Sequence, residues 1–159
     1  MALREKQKDK LRLWIRVTMI FIAVLLLVFA VGIPIINNAI ALGVEKDLKK
    51  LPLPADTKLV ESTSMAAKLV GNGNGMQYFG AILIKSELSP EELETHYKAY
   101  RKGQFDCLVE PQLAADIRAV DRDLSFRHEG YGTGYYIVYT WGSAPDWLQD
   151  LLDTDLRGH

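Results

Sequence analysis

Cysteine is nearly absent: Cys107 stands alone among 159 residues, so no disulfide framework can form within the chain. There is no Asn-x-Ser/Thr acceptor, so nothing suggests a glycosylated eukaryotic ectodomain, and the balance tilts towards a bacterial protein. Histidine is scarce, at three residues, with no His-x-x-x-His spacing and no Ser-His-Asp order. Cys107 has no histidine placed near it by sequence logic, and it reads as a small apolar residue of an alternating strand. His96 and His128 read as packing or surface residues. No catalytic set emerges, no cofactor is expected, and an enzyme is not the favoured reading.

The most informative absence is that of charge from a long internal run. Residues 17–36 (VTMIFIAVLLLVFAVGIPII) hold one polar side chain, Thr18. As a helix, such a run would span about 30 Å, the thickness of a bilayer's hydrocarbon core. The charges either side differ in sign. Residues 1–16 carry six Lys/Arg against two acidic residues, a net of +4, whereas residues 45–159 carry 13 against 18, a net of −5. A basic flank beside an apolar run is held in the cytoplasm, and Trp14 and Arg16 sit where an aromatic ring and a snorkelling cation settle. The expected topology is a cytoplasmic tail (residues 1–16), a helix that meets the lipid bilayer through residues 17–36, and an extracytoplasmic remainder. An acidic remainder repels phosphate backbones, so no nucleic acid is expected as partner. The competing reading is a cleaved signal, with Ala39-Ile40-Ala41 as cleavage site, but a run of twenty exceeds the apolar core of a signal peptide.

Beyond the run, Ile40, Val44, Leu48 and Leu51 keep helical spacing, which predicts a stalk. Leu51-Pro52-Leu53-Pro54 stops it, so residues 37–54 read as stalk and linker and residues 55–159 as one domain. Two units follow. The first has strand-like runs at 58–62 and 66–70, a turn at Gly71-Asn72-Gly73-Asn74-Gly75, a doubly apolar strand at 76–85, and a helix opened by Ser89-Pro90-Glu91-Glu92. The second has strands at 105–109 and 124–128, an ambiguous 113–120, a turn at Gly130-Tyr131-Gly132-Thr133-Gly134, a strand at 135–141 and a C-terminal helix bearing Trp147, Leu148, Leu151 and Leu152. The fold class is α+β: a mainly antiparallel sheet with two helices on one face, in which a repeated ββα unit is conceivable.

The functional signals are weak. Asn-Gly pairs favour tight hairpins because both positions need positive φ. The glycine clusters therefore read as turns, with Asn72, Asn74 and Tyr131 as the residues that would touch a ligand. Tyr135, Tyr139 and Trp141 share one strand face with Ile137; they are either core or an aromatic contact surface for a partner or a sugar ring. Asp146, Asp150 and Asp153 fall at helical spacing, followed by Asp155 and His159. That group could hold a divalent metal, or it is a solvated polar face. The plan of anchor, stalk and small domain without a catalytic set favours a binding or interaction module. It would be an accessory subunit of a cell-envelope complex with a membrane or envelope protein as partner. A metal-dependent hydrolase using Asp150, Asp153, Asp155 and His159, and a cell-wall sugar-binding domain, are the alternatives.

Overall fold

The computed structural model describes residues 2–71, 75–100, 106–129, 131–155 and 157. Three helices and four strands follow one another among them: α1 (Ala2–Lys49), β1 (Thr57–Ala67), β2 (Gln77–Ser86), α2 (Pro90–Lys98), β3 (Leu108–Pro111), β4 (Tyr135–Gly142) and α3 (Asp146–Leu152). The strands form one antiparallel sheet in the order β1-β2-β4-β3. The α+β class holds, and each half of the sheet is a strand pair followed by a helix, the arrangement a ββα unit requires.

Strand alternation gives the sheet two faces. Tyr78, Gly80, Ile82 and Ile84 of β2 look towards the helices; Phe79, Ala81 and Leu83 look the other way. On the helix face, Leu93 and Tyr97 of α2 pack with Ile82, Ile84, Cys107, Val109 and Val138. Leu148 and Leu152 of α3 pack with Ala66, Met76 and Tyr78. The opposite face carries no helix among the described residues. Ile117, Val120 and Phe126 of the irregular segment between β3 and β4 cover it. The strand expected at 124–128 is reduced to a single bridge, Asp116 to Ser125, because this segment spends its apolar side chains downwards on Phe79, Ile137 and Tyr139 rather than along a ladder.

The segment read as a stalk continues α1, and it is docked on the sheet. α1 runs unbroken through Pro34 to Lys49, and its outer end lies on the sheet, with Asn37, Ala41 and Leu48 buried. Glycine makes the approach possible. A Cβ on Gly80 would stand 2.7 Å from the Glu45 amide nitrogen, and one on Gly142 would collide with the Val44 methyl Cγ2. Glycine in a strand often marks such a close backbone approach. The Glu45 carboxylate then reaches over β1, accepting hydrogen bonds from Ser62 Oγ (2.6 Å) and Ser64 Oγ (2.8 Å).

One turn expectation is corrected. The β1–β2 ladder ends at Ala67 and Gln77, too far apart in sequence for a two-residue connection, and Gly75 does not take a positive φ; Asn74 lies outside the described residues. The reason is Gln77: its Oε1 accepts the amides of Leu69 (2.7 Å) and Val70 (2.8 Å), replacing the next rungs of the ladder and leading the chain away. Among the described residues positive φ falls at Asp56 (54°), Gly71 (69°) and Gly134 (87°). A Cβ on Gly134 would stand 2.9 Å from the carbonyl oxygen of Ser86, whose amide donates to Gly134 O. The strand expected at 105–109 begins at Leu108, with Cys107 buried just ahead of it; Phe105 lies outside the described residues.

The start of α2 follows its sequence signature. Ser89 Oγ accepts from the Glu92 amide (3.3 Å), and the Glu92 carboxylate in return accepts from the Ser89 amide (2.8 Å). With Pro90 at the first helical position, this is a complete capping box. The Ser89 amide, followed by its hydroxyl, holds the Glu92 carboxyl below its ordinary pKa. Ser89→Ala should therefore cost about 1 kcal/mol of domain stability. A urea melt unchanged within error would show that the box contributes nothing.

Candidate functional site

Two groups of side chains stand out from the packing, one where α1 enters the domain and one at the far end of the sheet. The first is a buried polar lock. Asn37, one residue past the apolar run, is wholly enclosed: its amide nitrogen donates to Leu152 O (3.1 Å) and Asp155 Oδ2 (2.9 Å), and its Oδ1 accepts from Tyr78 Oη (2.8 Å). Asp155 is grasped from its other side by Arg157, whose Nη2 lies 2.6 Å from Asp155 Oδ2. The same guanidinium donates to Pro34 O (3.1 Å) and to Asn38 Oδ1 (3.1 Å). The Arg157 bonds outweigh the opposing effect of burial and hold the Asp155 carboxyl down at about 2. Tyr78 is pushed up to about 12, by burial first and then by the charges of Asp153 and Asp155, so its hydroxyl is a permanent donor.

The C-terminal acids do not sit alike. Asp155 is taken up by Arg157 and Asn37; Asp153 accepts the Met76 amide (2.7 Å) through Oδ1; Asp146 and Asp150 are exposed. Among the described residues no three of His, Cys, Asp and Glu converge on a point. His159 lies outside the described residues. The carboxylates at the end of α3 look unfavourable from sequence, because they oppose the helix dipole. Asn37 and Arg157 hold Asp155 and the Met76 amide holds Asp153, which offsets that opposition.

The second group lies at the end of the sheet remote from Asn37. A β-bulge at Val60 turns Glu61 to the loop face, where its carboxylate accepts the amides of Arg127 (3.0 and 2.9 Å) and His128 (2.9 Å). That clamp sets the His128 ring against Tyr131 (centroids 5.6 Å apart) and Tyr135 (5.2 Å), with His128 Nε2 3.2 Å from Tyr135 Oη. Lys85 Nζ lies 5.2 Å from the centre of the Tyr135 ring, within the range of a cation–π contact. The Tyr131 hydroxyl is buried without a hydrogen-bond partner among the described residues, and its pKa is raised by burial first, then by Glu61, Asp116 and Tyr135.

The remaining candidates separate. Tyr139 is core: its hydroxyl donates to Glu110 (2.6 Å), its ring packs on Phe79, and burial followed by that bond raises its pKa. Trp141 is half-buried, edge-on to Phe79. Asn72 and Asn74 lie outside the described residues. Cys107 is buried, and burial pushes its thiol up to about 11, so it carries no thiolate at neutral pH. His96 ties α2 to the proline segment, its Nε2 2.8 Å from Pro52 O. Sequence reasoning missed Asn37, Tyr78 and Glu61, and saw in Arg157 only an offset to Asp153 and Asp155. The one signal for Asn37 was an amide directly at the end of an apolar run, where a buried polar group needs a partner. Compared with family models, curated proteins and solved structures, the chain matches none.

Proposed function

We propose that this chain is a single-pass membrane protein with its basic tail in the cytoplasm, and that its domain is an extracytoplasmic interaction module, an accessory subunit of a cell-envelope complex. One observation carries the reading. Among the described residues a single helix is long and apolar enough to cross a membrane, and it continues without a break into the domain, where Asn37, Ala41 and Leu48 are buried. A module built this way does not swing on a tether. Its sheet is held at a set angle to the bilayer, and the aromatic group at His128, Tyr131 and Tyr135 is presented on the side away from it. Tyr78 stands beside Asn37, and Lys85 stands opposite Tyr135. Over those seven steps a strand rises by roughly 23 Å. Half-buried tyrosines with a cation and a histidine beside them suit a protein partner.

The docked helix also favours an uncleaved anchor. Cutting after Ala41 would remove Asn37, leaving Tyr78 Oη and Asp155 without the amide that joins them. A periplasm-dependent reporter should be active when fused after His159 and silent when fused before Met1, and the chain in membranes should keep its full mass. In the same membranes, a photo-crosslinker at Tyr131 should capture a discrete protein. The reverse reporter pattern would end the topology, and absence of any protein adduct would end the partner reading.

A further inference from the structure

We infer that the cleft between α1 and α3 is a lipid site that seats one acyl chain of a membrane phospholipid; this rests on the membrane-anchor reading above. The cleft is a half-open hollow of about 430 Å³ whose lining Leu26, Phe29 and Leu151 stay exposed, a volume within the range of small-molecule sites. One wall is the α1 stripe Leu26, Phe29, Ala30 and Ile33; the other is Leu151, at the end of α3. The stripe is the downward continuation of the face that buries Asn37 and Ala41, so the domain overhangs a part of α1 that belongs to the apolar run. Whatever bathes the exposed sides of that run also reaches the cleft. In a bilayer that is hydrocarbon.

The chemistry changes along the cleft as it does along a lipid. Its lower part is wholly apolar, and its upper end meets Thr154 and Asp155, with the Arg157 guanidinium bonded to Pro34 O beside it. From Leu26 to Pro34 the wall rises about 12 Å, close to the depth of one leaflet's hydrocarbon. The overhang distinguishes occupants. A partner's helix following α1 past Pro34 would run into α3 and Asp155, whereas an acyl chain needs to rise no further than its own headgroup. Trp147, 82% exposed and one turn from Leu151 on α3, lies on the flank that would meet the interfacial layer, where tryptophan is enriched.

The test uses the full chain in phospholipid nanodiscs, with a diazirine amino acid placed either at Leu151 or at Ile20, which is exposed on the apolar run. On irradiation both should gain the mass of one phospholipid, and fragmentation should locate the new bond at Leu151 on the acyl chain. Ala30→Phe, which fills the cleft, should lower the adduct at Leu151 several-fold and leave that at Ile20 unchanged. Lipid at Ile20 with water alone, a headgroup adduct or a second polypeptide at Leu151 overturns the lipid site and leaves the anchor standing. Lipid at neither position overturns the anchor itself.

Discussion

Gly80→Val should prise α1 from the sheet and lower the stability of the domain by about 3 kcal/mol or more. That is the upper end of the usual cost of overpacking or beyond it, because the obstacle is backbone. The nearest atoms to an added Cβ are Glu45 N at 2.7 Å, then Glu45 Cα and the Val44 carbonyl carbon at 3.0 Å. None of them can rotate aside. The helix would have to retreat by roughly 1 Å to restore ordinary contact, loosening Leu48 from Ile82 and Ile84 and drawing the Glu45 carboxylate off Ser62 and Ser64. The sign of the effect is diagnostic. Valine is the better strand former, so if nothing lay over Gly80 the substitution would stabilise the sheet. Gly43→Ala serves as the control, since a Cβ there meets nothing within 4 Å. It should gain about 0.5–1 kcal/mol from helix propensity. Urea melts of full-length protein in detergent micelles, followed by tryptophan fluorescence, read both. A Gly80→Val midpoint equal to or above that of the wild type would mean that α1 does not rest on the sheet.

What could be read in advance divides by range along the chain. The apolar run, the capping box at Ser89 and the strands around Met76-Gln77-Tyr78 and Tyr135-Tyr136-Ile137 are local, set by composition, spacing and side-chain chemistry within a dozen residues. The docking of α1 was half legible. Ile40, Val44 and Leu48 marked a helix face, but the partner surface, Gly80 and Gly142, comes much later in the chain. The glycines themselves were the clue, read as turn formers elsewhere and passed over inside strands. A two-residue link between β1 and β2 is excluded by the Gln77 side chain, which takes the place of backbone rungs beyond Ala67, and turn propensity carries no sign of it. The segment between β3 and β4 defeats periodicity outright: Ile117, Val120 and Phe126 serve one core from three irregular positions. The candidate site followed the same division. Tyr135 is marked by its aromatic strand face and Tyr131 by its glycine turn, and the two rings meet. Their organiser Glu61 acts from 67 residues away in sequence, through the amide of His128, and one carboxylate on a strand carries no sign of such a role.

Arg157→Ala should destabilise the domain by about 2–3 kcal/mol near neutral pH, a discount on the cost of breaking a buried ion pair. Removing one partner of a fully buried pair costs about 3–5 kcal/mol. The figure is lower here because the Arg157 side chain is 42% exposed while that of Asp155 is 1% exposed. The orphaned group is therefore Asp155, left with Asn37 as its one remaining donor side chain among the described residues, and the tie from Arg157 to Pro34 O and Asn38 goes too. The pH dependence separates this loss from lost packing. In the wild type the Asp155 carboxyl sits at about 2, below its ordinary 3.8. A group with a lowered folded-state pKa contributes stability that is present above its unfolded value and is lost as pH falls through the folded one. This contribution, about 2 kcal/mol, should be intact above about pH 4 and fade towards pH 2. Without Arg157 the depression vanishes, so the difference between wild type and variant should shrink by about 2 kcal/mol between pH 6 and pH 2. Arg157→Ala combined with Asp155→Asn should recover part of the stability at pH 6, since no buried charge is then left without its partner. Denaturant midpoints of the three proteins at the two pH values decide it. A gap that stays constant with pH, or a double variant no more stable than Arg157→Ala, would show that the guanidinium acts by packing and that Asp155 does not depend on it.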